Sequence, residues 1–166
     1  MMNRYNRMKF ACLLFLIPLS LLISCTSGIN KSVQSVAVWD LDNLSPAGAS
    51  PTDLGELLSV EVIKTIQESN RYSVIERERL FMALEELNLG STELVDEQTR
   101  LKLGQLSSAA LMVFGSYQVI GDTMRLDLRM VEVETGRIRK AVKRITAADN
   151  ISGWLDSAKA AAEELL

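Results

Sequence analysis

The 166 residues carry 18 lysines and arginines against 21 acidic residues, a formal charge of −3, with no histidine and two cysteines. An acidic chain is a poor partner for nucleic acid, and without histidine the usual general base and the commonest metal ligand are missing. If the first 24 residues are set aside as a signal, 15 basic residues face 21 acidic ones, a charge of −6 on the 142 residues that remain.

The case for that signal is local. Arg4, Arg7 and Lys9 make the start basic, Phe10 to Leu22 is apolar, and Leu22-Ile23-Ser24 stands immediately before Cys25. The apolar run suits a signal peptide and is short for a permanent span. The triplet before the cysteine has the lipobox pattern of bacterial lipoprotein signals. Cleavage is therefore expected after Ser24, with acylation of Cys25. An ordinary secretory peptide with an incidental cysteine is the alternative, but no other small-residue cleavage site fits better.

Each buried methylene contributes roughly 0.8 kcal/mol and one chain alone holds marginally, so several acyl chains anchor firmly. Cys12 falls in the discarded segment and Cys25 takes the lipid, which leaves the domain no thiol, disulfide or thiolate metal site. Thr26, rather than an acidic residue, follows the cysteine, as in enterobacterial lipoproteins sorted to the outer membrane. Thr26 to Ser32 spans at most roughly 25 Å, so the domain is expected to lie against its membrane. The expected organisation is a signal peptide over 1–24, a lipidated cysteine with a short tether over 25–32, and one domain over 33–166.

The first strand is predicted over Val33 to Leu41, apolar on both faces as in a sheet covered from both sides, followed by a loop from Asp42 to Ala49. Ser50-Pro51-Thr52-Asp53 has the form of a helix start. That helix runs to about Ser69, with Leu54, Leu58 and Val62 four apart and Leu57 and Ile66 widening the stripe. Asn70 is a left-handed stop. Tyr72 to Ile75 is a short strand. Glu78 to Leu87 is a helix burying Leu80, Phe81, Leu84 and Leu87 and ending at Gly90. Asp96 caps a third helix to about Leu106.

Strand Leu111 to Ile120 comes next, and Gly121-Asp122 forms a two-residue hairpin turn. Met124, Leu126, Leu128 and Met130 then alternate with Arg125, Asp127 and Arg129, the pattern of a strand with one buried and one wet face. Glu134-Thr135-Gly136 turns the chain into a last strand, Arg137 to Thr146. A final helix from about Asn150 places Trp154, Ala158, Ala161 and Leu165 on one stripe. The order β-α-β-α-α-β-β-β-α describes an α/β fold: one three-layer-like domain whose mixed sheet of about five strands is flanked by helices.

Two groups of residues invite a chemical reading. Val36 to Asn43, a hydrophobic strand ending in Asp40-Leu41-Asp42, resembles the first motif of haloacid-dehalogenase-type phosphatases, and Gly121-Asp122 with Asp127 imitates their late acidic motif. That resemblance implies a phosphoryl-accepting Asp40, an acid/base Asp42 and a magnesium ion. Against it, Leu44 stands where the motif has Thr or Val. Gly121-Asp122 belongs to a hairpin, and Asp127 sits on a wet strand face, so the carboxylates do not converge. The favoured reading has Asp40 and Asp42 ending a strand and organising a turn.

The second group is Arg137, Arg139, Lys140, Lys143 and Arg144. It is a possible partner surface for anionic headgroups, a cell-wall polymer or an acidic protein. The favoured alternative is that these charges blunt an exposed edge strand, with Glu132 and Glu134 near enough to pair.

The block from Arg71 to Leu80, the run Ala-Leu-Glu-Glu-Leu-Asn-Leu from Ala83, Gly115-Ser116-Tyr117, Gly121-Asp122, and Val131 to Gly136 occur together in one order. In that order they resemble the curli assembly/transport component (CsgG/HfaB) family, including FlgO-like and LpoB-like outer-membrane lipoproteins, over about residues 33 to 147. The resemblance implies a non-catalytic lipoprotein on the periplasmic face of the outer membrane, an accessory or scaffold subunit for flagellar, secretion or surface-structure biogenesis. Envelope proteins are the implied partners, with a possible homo-oligomeric ring. No metal, cofactor other than the covalent lipid, nucleic acid or small-molecule substrate is expected. A curli-type secretion pore component and a penicillin-binding-protein activator are the alternatives, and a small exported magnesium phosphatase is a remote one. A self-sufficient pore needs two membrane hairpins, about 40 residues, and the chain has no such insertion. An activator needs a long tether, which Thr26 to Ser32 does not supply.

Overall fold

Strand β1, Gln34–Val38, runs inside the sheet between two parallel neighbours, and its burial deepens along its length until Val36, Ala37 and Val38 are enclosed. Both of its faces are covered, which accounts for the unbroken apolar run. The computed structural model describes residues 33–47, 54–87, 96–147 and 149–166. The lipobox, Cys25, the helix start at Ser50 to Asp53, and Gly90 lie outside the described residues.

The elements are β1, β2 (Asp42–Asn43), α1 (Leu54–Glu68), β3 (Tyr72–Val74), α2 (Arg77–Glu86), α3 (Glu97–Leu106), β4 (Leu111–Ile120), β5 (Thr123–Glu132), β6 (Ile138–Ala147) and α4 (Ile151–Leu165). The sheet has six strands in the order β3-β1-β4-β5-β6, with β2 also paired to β4. β3, β1, β2 and β4 are parallel, whereas β4, β5 and β6 form an antiparallel meander. The expected mixed α/β architecture is therefore observed, with one strand added: β2 lies where a loop was expected to start.

That extra strand has a physical origin. Val38 pairs with Val113 and Asp42 with Ser116, so the chain uses three residues where β4 uses two. The inserted residue is a bulge that reverses the inward and outward alternation. Leu41 accordingly rejoins Val36 and Val38 in the core beneath α1.

One face of the sheet is covered by α1 and α4, which pack against each other. Their stripes, Leu54, Leu58, Val62 and Ile66 on α1 and Trp154, Ala158, Ala161 and Leu165 on α4, are buried as predicted. The other face carries a smaller core of Ala37, Trp39, Met112 and Phe114 beneath α2 and α3. Two side chains fall outside their predicted stripes. Leu57 is 42% exposed and Phe81 43%. Both sit about 100° around the helix from the row that touches the sheet, and in α2 Ala83 takes the buried place instead.

The local signals act as expected. Asn70 ends α1 with φ 53°. The Asp96 carboxylate accepts from the Thr99 backbone N–H at 2.8 Å, and Asn150 caps α4 through the Gly153 N–H at 2.7 Å. Gly121 takes φ 56° in a hairpin that pairs Ile120 directly with Thr123, the positive φ at the first turn position that type II′ requires. No described helix is long and apolar enough to cross a membrane.

Candidate functional site

The strand break at 39–41 brings together ion pairs from two helices. α1 presses onto it without a side chain at the point of contact: a Cβ on Gly55 would strike the Leu41 carbonyl oxygen. One turn on, Ser59 is fully buried. Its hydroxyl accepts from the Leu41 N–H at 3.2 Å and donates to the Gly55 carbonyl at 2.6 Å. The bulge is thereby fastened to α1 through the Leu41 backbone.

Each aspartate of the Asp-x-Asp pair is held by an arginine from a different helix. Arg77, at the start of α2, donates to Asp40 at 2.8 Å and to Glu56 on α1 at 3.3 Å, with its guanidinium 5.7 Å from the centre of the Phe81 ring. Burial pushes the Asp40 carboxyl above its usual range, opposed by Arg77 and reinforced by Glu56. Arg100 on α3 contacts both Asp42 oxygens through one nitrogen at 2.8 Å and lies 5.7 Å from the Phe114 ring centre. Arg129 on β5 stands 5.9 Å from that same ring and reaches Glu97 at 3.6 Å.

These contacts occupy the carboxylates that a phosphatase would need. The indentation lined by Val38, Trp39, Asp40, Arg77, Leu80 and Phe81 encloses about 10 Å³, room for one water at most. Among the described residues no three acidic, histidine or cysteine side chains converge to hold a metal. Asp127, the supposed late acidic residue, lies on the open face of β5 and is held by Arg125 at 2.7 and 2.9 Å. The arginines Arg77 and Arg100 were not singled out from the sequence. The available signal was Arg100 in register with Leu103 on the buried side of a helix, where a charge requires a partner.

The basic group is where the sequence placed it, on the sheet edge formed by β6. Arg137 and Arg139 share the Glu132 carboxylate at 3.4 and 3.3 Å, and Arg139 also donates to Gln34 at 2.8 Å. The Glu132 carboxyl is lowered, chiefly by the Thr135 hydroxyl and secondly by these arginines. Arg144 reaches Glu164 of α4 at 2.6 Å, a partner 20 residues away that proximity in sequence does not indicate. The expected pairing through Glu134 does not occur among the described residues. Lys140 lies opposite Met130, and Lys143 opposite Asp127.

α2 and α3 leave the second face of the sheet bare over β5 and β6. Arg125, Arg129, Ala141, Lys143 and Ile145 are exposed there, and an open groove of about 410 Å³ crosses the surface between Leu44 and Lys143.

This architecture, a mixed sheet with its meander half-covered, can be set beside known proteins. A family profile, curli production assembly/transport component CsgG, matches residues 29–121, more than half of the chain. The chain belongs to the CsgG family. Solved structures share the fold. The C-terminal domain of LpoB from Salmonella enterica superposes with a TM-score of 0.57 at 16% identity, over 69% of this chain and 82% of that one. Lipoprotein GNA1162 from Neisseria meningitidis gives 0.58 at 15% identity, over 78% and 94%. A PelC dodecamer subunit from Paraburkholderia phytofirmans gives 0.51 at 13%, over 80% and 86%. At these identities the likeness is one of fold. No curated protein matches the chain by sequence.

Proposed function

We propose that this CsgG-family protein is a non-catalytic lipoprotein, anchored through Cys25 to the periplasmic face of the outer membrane, that serves as an accessory or scaffold subunit of an envelope assembly. The observation that carries the reading is the family match over residues 29–121. The lipobox Leu22-Ile23-Ser24-Cys25 supplies the anchor, and the seven-residue tether holds the domain close to the bilayer. Likeness to a lipoprotein and to a subunit of a dodecamer supports an envelope setting and assembly with other protein chains.

The geometry supports contact over turnover. Asp40 and Asp42 are engaged by Arg77 and Arg100, while the open face over β5 and β6 offers apolar and charged side chains to a partner. A self-sufficient pore fits less well. The meander strands each bury one side in the domain core, as Leu126, Leu128 and Val142 do, and are committed to it.

The test is in-cell photo-crosslinking from a benzoylphenylalanine placed at Ala141, followed by identification of the adducts. Recovery of envelope proteins or of the chain itself is expected. A chain that yields no adduct there, and that hydrolyses a phosphomonoester with magnesium until Asp40→Asn abolishes it, would reverse the assignment.

A further inference from the structure

Strand β6 borders the sheet, and the hydrogen-bond alternation of the meander determines which of its backbone groups face outward. The two-residue turn at Gly121-Asp122 makes Ile120 and Thr123 a pair that exchanges both backbone bonds. Alternation then turns the backbone of Arg125, Asp127 and Arg129 toward β4 and that of Met124, Leu126, Leu128 and Met130 toward β6. Their partners there are Thr146, Arg144, Val142 and Lys140. The N–H and C=O groups of Ala141, Lys143 and Ile145 therefore point away from the sheet, and among the described residues none of them meets a hydrogen-bond partner. Ala147 continues the series and marks its direction: its carbonyl accepts from the Trp154 Nε1–H of α4 at 3.2 Å.

The side chains along this edge define what can pair with it. Ala141, Lys143 and Ile145 are exposed on the bare face, and β6 holds no acidic residue. Arg144 is taken by Glu164, and Arg139, the extra residue of a bulge between Ile138 and Lys140, by Glu132. Lys140 and Lys143 enter no ion pair with a described residue. A second copy of β6 would set cations among cations, which disfavours self-pairing. An added strand satisfies the backbone groups whatever its sequence, and its alternate side chains select it. Beside Lys143 the fitting group is a carboxylate; beside Ala141 and Ile145, two residues to either side, it is apolar.

We infer that the outer edge of β6 receives, as an added strand, an extended segment of an envelope protein that sets an acidic side chain beside Lys143 between two apolar ones. This rests on the envelope-subunit reading and specifies the surface, the mode of contact and the chemistry of the partner.

The experiment uses the full lipidated chain in detergent and a capped nine-residue peptide of alternating valine and threonine with glutamate at its centre, so that a valine stands two residues to either side of the carboxylate. Amide hydrogen exchange followed by NMR is expected to slow at Ala141, Lys143 and Ile145 when the peptide is added, and to change little at Val142 and Arg144, which β5 already holds. A lysine-centred peptide is expected to bind about five- to tenfold more weakly, and Lys143→Glu to invert that preference. Lys143→Pro removes an outward N–H and no bond to β5, and is expected to bind neither peptide while its tryptophan fluorescence stays native.

Unchanged exchange at the three residues in about 1 mM peptide, or equal affinity for the two peptides, would overturn the inference. Protection that grows with protein concentration in the absence of peptide would overturn it in favour of a second copy on the edge. Crosslinking in cells at Ala141 separates this inference from the reading beneath it. Envelope adducts that persist undiminished in Lys143→Pro and Lys143→Glu remove the added strand and leave the subunit role standing.

Discussion

Removing the Asp42 carboxylate tests whether the Asp-x-Asp pair holds the fold or does chemistry. Arg100 is 8% exposed, and its ion pair with Asp42 fastens α3 to the strand that follows the bulge. Breaking a fully buried pair by deleting one partner costs about 3–5 kcal/mol. Here the Asp42 side chain is 42% exposed, and Arg100 also rests over Phe114, so water and the ring recover part of the loss. Asp42→Ala is expected to destabilise the domain by about 1–3 kcal/mol.

Arg100→Met places an apolar chain over Phe114 and leaves Asp42 to water. Asp42→Ala on that background is then expected to cost close to nothing, a coupling of about 1–3 kcal/mol. Urea unfolding is the assay, because urea leaves ionic strength unchanged. Trp39 and Trp154, 5% and 7% exposed in separate cores, report both faces of the sheet by fluorescence. An Asp42→Ala cost that is the same in both backgrounds would refute the pairing argument. So would a stable Asp42→Ala protein that has lost a hydrolytic activity.

Other predictions follow from the same geometry. Burial lifts the folded-state pKa of Asp40 above its ordinary 3.8, so native Asp40 keeps its proton to higher pH than unfolded Asp40, and ionising it costs stability as pH rises from 3.8 through the raised value. The melting difference of Asp40→Asn relative to wild type should therefore move in favour of the variant between pH 3.5 and pH 7, and a constant difference would contradict this. Gly115→Ala places a methyl group against the Asp127 carbonyl oxygen, where only backbone movement gives relief. A loss of about 1–3 kcal/mol is expected in urea, whereas a gain of about 0.5–1 kcal/mol, as for a glycine in an open strand, would show the strands have room. Asn150→Ala removes the cap of α4 and should cost about 1 kcal/mol. An unchanged unfolding midpoint would count against that cap.

The meander and its turns were legible because alternation at Met124, Leu126, Leu128 and Met130 is a local signal, as is the turn chemistry of Gly121 and Gly136. The cap at Asp96 was legible for the same reason, as was the start of the last helix near Asn150. The bulge at 39–41 was not: both faces of β1 are apolar, so an inserted residue leaves no break in the hydrophobic pattern. Consequently the opposite allegiances of Leu41 and Asp42 emerged only with the register against β4. Leu57 and Phe81 were misplaced because apolar character alone does not fix an azimuth on a short helix. In Phe81 the Arg77 guanidinium covers part of a ring that would otherwise need the core. The site suffered most from distance in sequence: Arg77 and Arg100 meet their aspartates across 37 and 58 residues, and Arg144 meets Glu164 across a helix. Composition cannot carry such pairings, although a charge on the buried side of α3 announces that one must exist.

A compact contact body held to the outer membrane by lipid is the central proposal, and the N-terminus of the mature protein tests it most directly. Mass spectrometry of the membrane-extracted chain should show cleavage after Ser24 and a first residue, Cys25, bearing acyl chains on its sulfur-linked glyceride and its amino group. A chain recovered from the soluble periplasm with an unmodified cysteine sulfur would contradict the account.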